Sequence, residues 1–242
     1  SLNPNIVGDV TLCPGENTVL DAGTGYASYL WSDGSTAQTL TSGTAGAYSV
    51  TVSDSGGCTG TASTAVVVNS NPTVNIAGTL SFCTGGSTVL DAGGGYATYD
   101  WSNGDATQTT TITASGIYIV TVTDVNGCTG SASATVTVNS NLSPAISGAL
   151  SLCTGGSTVL DAGGGYTTYD WSNGDATQTT TITASGIYIV TVTDANGCTG
   201  SASATVTVNS NLSPAISGAL SFCTGGSTVL DAGGGYATYD WS

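Results

Sequence analysis

A tandem repeat of about 70 residues constrains the fold of this chain more than any other feature of its sequence. The tryptophans recur with this period, at Trp31, Trp101, Trp171 and Trp241. The cysteines alternate between a longer and a shorter spacing, which together make up the same period: Cys13, Cys58, Cys83, Cys128, Cys153, Cys198 and Cys223. Two independent sets of rare residues with one period indicate tandem copies of one folding unit. We therefore predict module 1 at residues 1–70, module 2 at 71–140, module 3 at 141–210 and a partial module 4 at 211–242.

Modules 2 and 3 are almost identical in sequence. Residues 81–140 and 151–210 differ at three positions, Phe82/Leu152, Ala97/Thr167 and Val125/Ala195. Nearly identical neighbours suggest a protein in which the number of copies matters, as in a spacer or fibre, because an enzyme needs only one good site. Module 4 stops less than halfway through a unit, and half a module cannot close its own core. We expect the missing half to come from further chain or from a neighbouring chain.

Short β-branched and aromatic segments alternate with Gly and Asn-Gly turns in every module. In module 2 this pattern predicts strands at 74–82, 88–92, 97–102, 108–113, 117–124 and 131–139. Alternation within these strands predicts which side chains form the core: Leu90, Ala92, Tyr99, Trp101, Ile112, Tyr118, Val120, Val122, Val136 and Val138. Several short strands at this spacing indicate an all-β chain of tandem immunoglobulin-like β-sandwich modules.

Module 2 also carries a family resemblance in four segments. They are Cys83-Thr-Gly-Gly-Ser-Thr-Val-Leu, Tyr99-Asp-Trp-Ser-Asn-Gly, Gly116-Ile-Tyr-Ile-Val-Thr-Val-Thr-Asp and Asn126-Gly-Cys. These segments resemble the Ig-like and PKD-like repeats of Bacteroidetes surface proteins, including giant gliding-type adhesins and cargo of the type IX secretion system. The resemblance covers every module and implies tandem Ig-like (PKD-like) sandwiches with an extracellular role at the cell surface.

The cysteines lie outside the predicted strands, which bears on how they pair. Cys83 lies about seven residues before the middle of the strand at 88–92, and Cys128 lies about seven residues after the middle of the strand at 117–124. In Ig topology these strands run in the same direction, so the two sulfurs are roughly 40 Å apart at about 3.3 Å per residue. A disulfide needs Cα atoms within about 7 Å.

Pairs between modules are therefore favoured, namely Cys13–Cys128 and Cys83–Cys198. In this scheme Cys58 pairs upstream, while Cys153 and Cys223 pair downstream. Pairs within a module, such as Cys13–Cys58, cross-links between chains and free thiols are the alternatives. Regularly spaced cysteines in small modules indicate an oxidising compartment, which favours an extracellular protein.

Charge and composition exclude several functions. The chain has no Lys, Arg or His and 15 acidic residues, so its formal net charge is −15. Nothing can neutralise phosphates, which excludes nucleic acid and a basic membrane-surface patch. No apolar run of about 18 residues is present, so membrane insertion is not expected. The absence of His and Lys removes most general bases and Schiff-base sites, so we predict no enzyme, no catalytic residue and no cofactor.

Three weaker patterns suggest contacts. Calcium is the one ion with suitable oxygen ligands, from Asp105, Asp124 and Asn126, although the same residues are typical of ordinary turns. Tyr96, Tyr99 and Trp101 are candidates for a sugar-stacking strip or, in the favoured interpretation, for core. Isoleucines on the outward face of one strand either tolerate exposure or form a lateral contact between fibres or modules. They are Ile117, Ile119, Ile187 and Ile189.

These observations together predict a structural extracellular repeat protein that forms a rod, fibre or adhesin stalk at the cell surface. Its expected partners are further copies of the same repeat, through self-association. The alternative is a glycan-binding or spacer module of a secreted multidomain hydrolase.

Overall fold

The strands of the chain follow its alternating pattern of apolar and polar residues. The computed structural model describes residues 2–242, and in that part of the chain there is no helix. No helix in the described residues is therefore long and apolar enough to cross a membrane. The chain divides into two compact units, Ser1–Ser140 and Asn141–Ser242.

Modules 1, 2 and 3 each contain the same six strands. In module 1 they are β1 (Thr11–Leu12), β2 (Thr18–Asp21), β3 (Ser28–Trp31), β4 (Thr39–Ser42), β5 (Gly46–Ser53) and β6 (Thr59–Val68). In module 2 they are β7 (Ser81–Cys83), β8 (Thr88–Asp91), β9 (Thr98–Trp101), β10 (Thr109–Ile112), β11 (Gly116–Thr123) and β12 (Thr129–Asn139). In module 3 they are β13 (Ser151–Cys153), β14 (Thr158–Asp161), β15 (Thr168–Trp171), β16 (Thr179–Ile182), β17 (Gly186–Thr193) and β18 (Thr199–Asn209).

Each complete module is a β-sandwich of one four-stranded and one two-stranded sheet. In module 2 the larger sheet has the order β7-β12-β11-β9, and the smaller sheet pairs β8 with β10. The short β7 runs parallel to β12, and the other pairs are antiparallel. Modules 1 and 3 have the same sheets in the same order. The chain is thus an all-β series of tandem immunoglobulin-like sandwiches, as the sequence predicts.

The core of module 2 lies between its two sheets. Trp101, opposite Val120 in the β9–β11 register, is 1% exposed. Its indole Nε1 donates a hydrogen bond to the carbonyl oxygen of Thr107 at 2.9 Å, so the one polar atom of the ring is satisfied. The other predicted core residues that are buried come from both sheets: Leu90, Ala92, Ile112, Val120, Val122 and Val136. Module 1 and module 3 have separate cores that share the tryptophan but differ elsewhere, with Leu12 and Leu40 buried in module 1 and Ile182 buried in module 3.

Three residues predicted for the core are only half-buried, namely Tyr99, Tyr118 and Val138. The two phenols reach the edge of the sandwich, where Tyr99 Oη donates to the carbonyl oxygen of Gly93 at 2.9 Å and Tyr118 Oη donates to that of Ala114 at 3.0 Å. A tyrosine keeps its hydroxyl near a polar partner, which prevents full burial of the ring. Val138 is the second-last residue of β12, where it lies opposite Phe82 of β7.

The first predicted strand of module 2, at 74–82, is also wrong as a single element. Ala77 forms an isolated bridge with Asp91 of the smaller sheet, whereas β7 pairs with β12 of the larger sheet. Gly78 lies between these segments, and a Cβ there would lie 2.4 Å from the carbonyl oxygen of Val89. The segment changes sheets at a point where the backbones are in close contact, so it cannot form one continuous strand.

Module 4 presents the first half of the same sandwich. Among residues 211–242 the strand pairing is the isolated bridge between Ser217 and Asp231. Trp241 is 52% exposed, whereas its equivalent in module 3, Trp171, is 1% exposed. The difference arises because the strands equivalent to β16, β17 and β18 are the ones that cover this face in module 3.

Candidate functional site at the junction of two modules

A disulfide joins module 1 to module 2. It links Cys13 to Cys128 across 115 residues of sequence, with the two Cα atoms 5.4 Å apart. This is one of the two pairs that the strand directions favour. Both modules belong to the unit Ser1–Ser140, and each has its own core. The bond therefore connects two separately packed sandwiches.

On the module 2 side, a five-residue loop holds the cysteine between β11 and β12. We call residues 124–128, and their equivalents 54–58 and 194–198, the Asp–Cys loop. In module 2 the backbone N–H of Asp124 donates to the carbonyl oxygen of Cys128 at 2.9 Å, and the N–H of Cys128 donates back to Asp124 Oδ1 at 2.9 Å. Asp124 Oδ1 also accepts from the N–H of Asn126 at 2.8 Å. Both backbone polar groups of Cys128 are thus bound to one aspartate.

The same bonds close the Asp–Cys loop of the other complete modules. Cys58 N–H donates to Asp54 Oδ1 at 2.9 Å, and Cys198 N–H donates to Asp194 Oδ1 at 2.8 Å. The backbone bond between Asp and Cys is 3.0 Å long in both loops. The loop thus has one geometry in three places.

On the module 1 side, the cysteine follows β1 and begins a tight turn. Cys13 N–H donates to Glu16 Oε2 at 2.8 Å, and the N–H of Glu16 donates to the carbonyl oxygen of Cys13 at 3.1 Å. In modules 2, 3 and 4 the residue equivalent to Glu16 is glycine, at Gly86, Gly156 and Gly226. The side-chain bond to the cysteine is therefore specific to module 1, whereas the backbone turn recurs in every module.

Hydrogen bonds from the backbone also affect the acidity of Asp194, the aspartate of the loop in module 3. The N–H of Cys198 is the main reason that the pKa of Asp194 lies below its usual value, because a donor stabilises the charged carboxylate. Asp194 lies in a chain without Lys, Arg or His. The carboxylate is therefore stabilised by peptide N–H groups and not by a salt bridge.

Three cysteines remain as thiols. Within the part of the chain that the structure describes, Cys58, Cys153 and Cys223 are free and exposed. The alternative pair Cys13–Cys58 does not occur, because Cys13 is bonded to Cys128. The second favoured pair, Cys83–Cys198, stays a prediction. Cys128, by contrast with Cys58, is fully buried, although the two occupy equivalent loops.

The calcium candidates are hydrogen-bonded within turns. Asp124 accepts the bonds of the Asp–Cys loop, to which Asn126 contributes its N–H. Asp105 Oδ2 accepts a short hydrogen bond from the hydroxyl of Thr110 and a 3.2 Å bond from Asn103 Nδ2. Among the described residues there is no group of three or more His, Cys, Asp or Glu that could hold a metal ion. Sequence reasoning thus missed the role of Asp124 in holding a cysteine.

The outward isoleucines occupy the open face of the larger sheet. Ile117 and Ile119 are 66% and 46% exposed, and Ile187 and Ile189 are 66% and 45% exposed. Their cross-strand neighbours are small hydroxyl residues, with Thr135 opposite Ile117. A lateral contact through this face stays a prediction.

The aromatic residues considered for sugar stacking are bound within the fold. Trp101 is buried, and the rings of Tyr96 and Tyr99 pack edge to face with their centroids 5.8 Å apart. The hydroxyl of Tyr96 donates to the carbonyl oxygen of Thr73 at 2.8 Å. Trp101 is thus core, in agreement with the favoured interpretation, whereas Tyr96 and Tyr99 are half-buried and pack against that core.

Known proteins similar to this chain are found among solved structures. No protein-family model matches the chain. No curated protein sequence matches it either. Among solved structures, a 1.5-MDa bacterial ice-binding adhesin is 16% identical over 87% of this chain and 99% of that one, with a TM-score of 0.41. A Ca²⁺-stabilised adhesin of an Antarctic bacterium is 16% identical over 88% and 76%, with a TM-score of 0.38. A Bacteroides ovatus glucan-utilisation protein, SGBP-B, solved with a heptasaccharide, is 16% identical over 87% and 71%, with a TM-score of 0.22. At these identities and scores no functional conclusion rests on the similarity.

Proposed function

We propose that this chain is a structural extracellular repeat protein that forms a rod, fibre or adhesin stalk at the cell surface. The observation that carries this proposal is the Cys13–Cys128 disulfide between two sandwiches with separate cores. A disulfide within one sandwich would stabilise that core, whereas this bond limits the motion of one module against the next. Resistance to bending is a property that a rod needs and an enzyme does not.

The surface chemistry supports the same proposal. The chain has 15 acidic residues and no cation, so its surface offers neither a general base of the His or Lys type nor a binding site for phosphate. The near identity of modules 2 and 3 favours a role in which each module repeats the same task. Disulfides persist in oxidising compartments, in agreement with a location outside the cell.

Further copies of the same repeat are the proposed partners. Cys58 lies in the same loop as the bonded Cys128, and Cys153 lies in the same turn as the bonded Cys13. We therefore propose that Cys58, Cys153 and Cys223 pair with cysteines of other modules. The outward isoleucines are a second proposed contact between copies.

Small-angle X-ray scattering of the oxidised chain tests the proposed role of the disulfide. The variant Cys13→Ser/Cys128→Ser should have a broader distribution of interatomic distances than the wild type, because modules 1 and 2 then move more freely. The matched control Cys58→Ser/Cys153→Ser removes two thiols that are free in this structure, so it should leave the distribution unchanged when all three proteins are measured as purified monomers. Identical scattering of all three proteins would refute the proposal.

The alternative function, a glycan-binding or spacer module of a secreted hydrolase, makes a different prediction. A glycan array probed with the oxidised chain should show no binding if the protein is a rod. Binding that increases with the number of modules would favour glycan recognition.

A further inference from the structure

We propose that Asp124 is a positioning residue for the disulfide between modules, because its carboxylate holds Cys128 in place to meet Cys13. The inference rests on the proposed function, in which that disulfide restricts the junction. It assigns to the loop aspartates a role in assembly in place of calcium binding.

Several hydrogen bonds converge on Asp124 and fix Cys128. Asp124 Oδ1 accepts from two backbone N–H groups, and the backbone of Asp124 adds a third bond to the carbonyl oxygen of Cys128. A fourth bond runs from the N–H of Gly127 to the carbonyl oxygen of Asp124 at 3.2 Å. Cys128 is therefore fixed at both of its backbone polar groups, and the freedom that remains is rotation of its side chain.

The Asp–Cys loop has the same geometry where no disulfide is present. Cys58 is a free thiol, yet its N–H lies 2.9 Å from Asp54 Oδ1, the same distance as in the bonded loop of module 2. The disulfide is therefore not the cause of the loop conformation. An arrangement that exists before the bond lowers the entropy lost when the bond forms.

Three of the five positions have the same residue in all three Asp–Cys loops. The sequences of the three loops are Asp54-Ser-Gly-Gly-Cys, Asp124-Val-Asn-Gly-Cys and Asp194-Ala-Asn-Gly-Cys. Aspartate, the last glycine and cysteine occur in all three. The glycine has a positive φ in each, +81° at Gly57, +87° at Gly127 and +80° at Gly197, which other residues adopt at a cost. At the third position the backbone N–H donates to Oδ1 of the aspartate in all three loops, and the asparagines of modules 2 and 3 add a longer bond from Nδ2 to Oδ2, at 3.5 Å and 3.4 Å.

The reaction that measures positioning is exchange with glutathione. Cys13 and Cys128 form their S–S bond while the S–S bond of oxidised glutathione breaks, and the two protons and two electrons leave with two molecules of reduced glutathione. The equilibrium constant of this exchange has units of concentration. A larger equilibrium constant means that the folded chain holds the two thiols closer to the arrangement that they have in the bond.

The experiment uses the full chain with Cys58, Cys83, Cys153, Cys198 and Cys223 each changed to Ser. The chain is equilibrated in glutathione buffers and quenched with acid. Cleavage before aspartate then releases residues 9–20, either free or linked to the peptide that contains Cys128. Mass spectrometry of the two forms gives the equilibrium constant. The thermal unfolding of each reduced variant is recorded to show that it is folded.

Asp124→Ala should lower the equilibrium constant by about tenfold, as expected for the loss of hydrogen bonds to a charged acceptor. Asp124→Asn should restore it to within about threefold of the wild type, because the amide oxygen still accepts both N–H groups. The matched control is Asp54→Ala, which opens the same loop of module 1, away from the bond. Its constant should equal that of the wild type.

Two results would overturn the proposal. One is an equilibrium constant for Asp124→Ala within twofold of the wild-type constant. The other is an equal decrease of the constant in Asp54→Ala, which would indicate a general effect on the fold.

If Asp124→Ala does not fold, Asp124→Glu replaces it. Glutamate keeps the charge but displaces the oxygens by one methylene, so its constant should be lower than that of Asp124→Asn. Equal constants in these two variants would also overturn the proposal. None of these results depends on the scattering experiment, which tests the function of the disulfide and not the residue that positions it.

Discussion

The disulfide between modules should remove most of modules 1 and 2 from the path of a pulling force. A force applied to the chain ends passes from Cys13 through the S–S bond to Cys128, so the residues between them carry no load. The bond spans 115 residues. At about 3.3–3.6 Å per extended residue, those residues represent about 380–410 Å of contour length.

Single-molecule force spectroscopy measures this length directly. The suitable chain retains Cys13 and Cys128, has the other five cysteines changed to Ser, and is attached through peptide tags at its ends. The fully extended oxidised chain should be shorter than the fully extended reduced chain by about 380–410 Å. The difference should vanish in a chain without cysteine, which controls for effects of the reductant.

A specific result would refute the reasoning. If oxidised and reduced chains reach the same extended length, the bond between Cys13 and Cys128 does not form in solution, or it breaks below the force that unfolds the sandwiches. In the wild-type chain, a disulfide loop that shortens the extended oxidised chain by only about 150–160 Å relative to the reduced chain would instead indicate the pair Cys13–Cys58.

Three further predictions concern stability. Gly130→Ala should lower the free energy of unfolding by about 1–3 kcal/mol, because the new Cβ would lie 2.1 Å from the carbonyl oxygen of Pro72. In the control Gly94→Ala the new Cβ would lie 3.4 Å from the flexible side chain of Gln108. This substitution should change the free energy of unfolding, measured by urea titration, by less than about 0.5 kcal/mol. N–H donors such as that of Cys198 lower the pKa of Asp194 in the folded chain below its usual value of 3.8. The ionised carboxylate therefore stabilises the fold above pH 3.8, and this stabilisation is lost as the pH falls through the pKa of the folded state. Melting temperatures in high salt, which screens the repulsion among carboxylates, should therefore be constant from pH 7 to about 4 and decrease below it; a rise below pH 4 would contradict the assignment. Calcium at low ionic strength should leave the melting temperature unchanged, since the candidate carboxylates already accept hydrogen bonds; an increase with calcium but not with magnesium would show that a calcium site exists.

Five of the six strands of module 2 could be predicted closely because each is a local pattern. The predicted strand at 117–124 differs from β11 by one residue at each end, and the predicted strand at 131–139 starts two residues late. Alternation also placed Val120 and Val122 inside and Ile117 outside, because a strand directs successive side chains to opposite faces. These properties depend on neighbours in sequence.

The errors in the predicted core came from polar atoms at the ends of long side chains. Tyr99 and Tyr118 follow the inward pattern, yet each hydroxyl binds a carbonyl oxygen at the edge of the sandwich. Alternation assigns a face to a residue but not a depth. The depth depends on where a partner for the hydroxyl lies in the folded module.

The sequence by itself determined the repeat, the strand pattern and the sandwich, since these follow from the spacing of the tryptophans and cysteines and from the alternation of side chains along each strand. It also predicted all the cysteines outside the strands, which restricted the pairs that could form, although Cys83 and Cys153 are in fact the last residues of β7 and β13. Only the tertiary structure decided that Cys13 meets Cys128 and that an aspartate four residues earlier holds Cys128 by its backbone. The physical reason is that a disulfide across 115 residues depends on how two separately folded modules bring their ends together, and no local pattern of residues contains that distance.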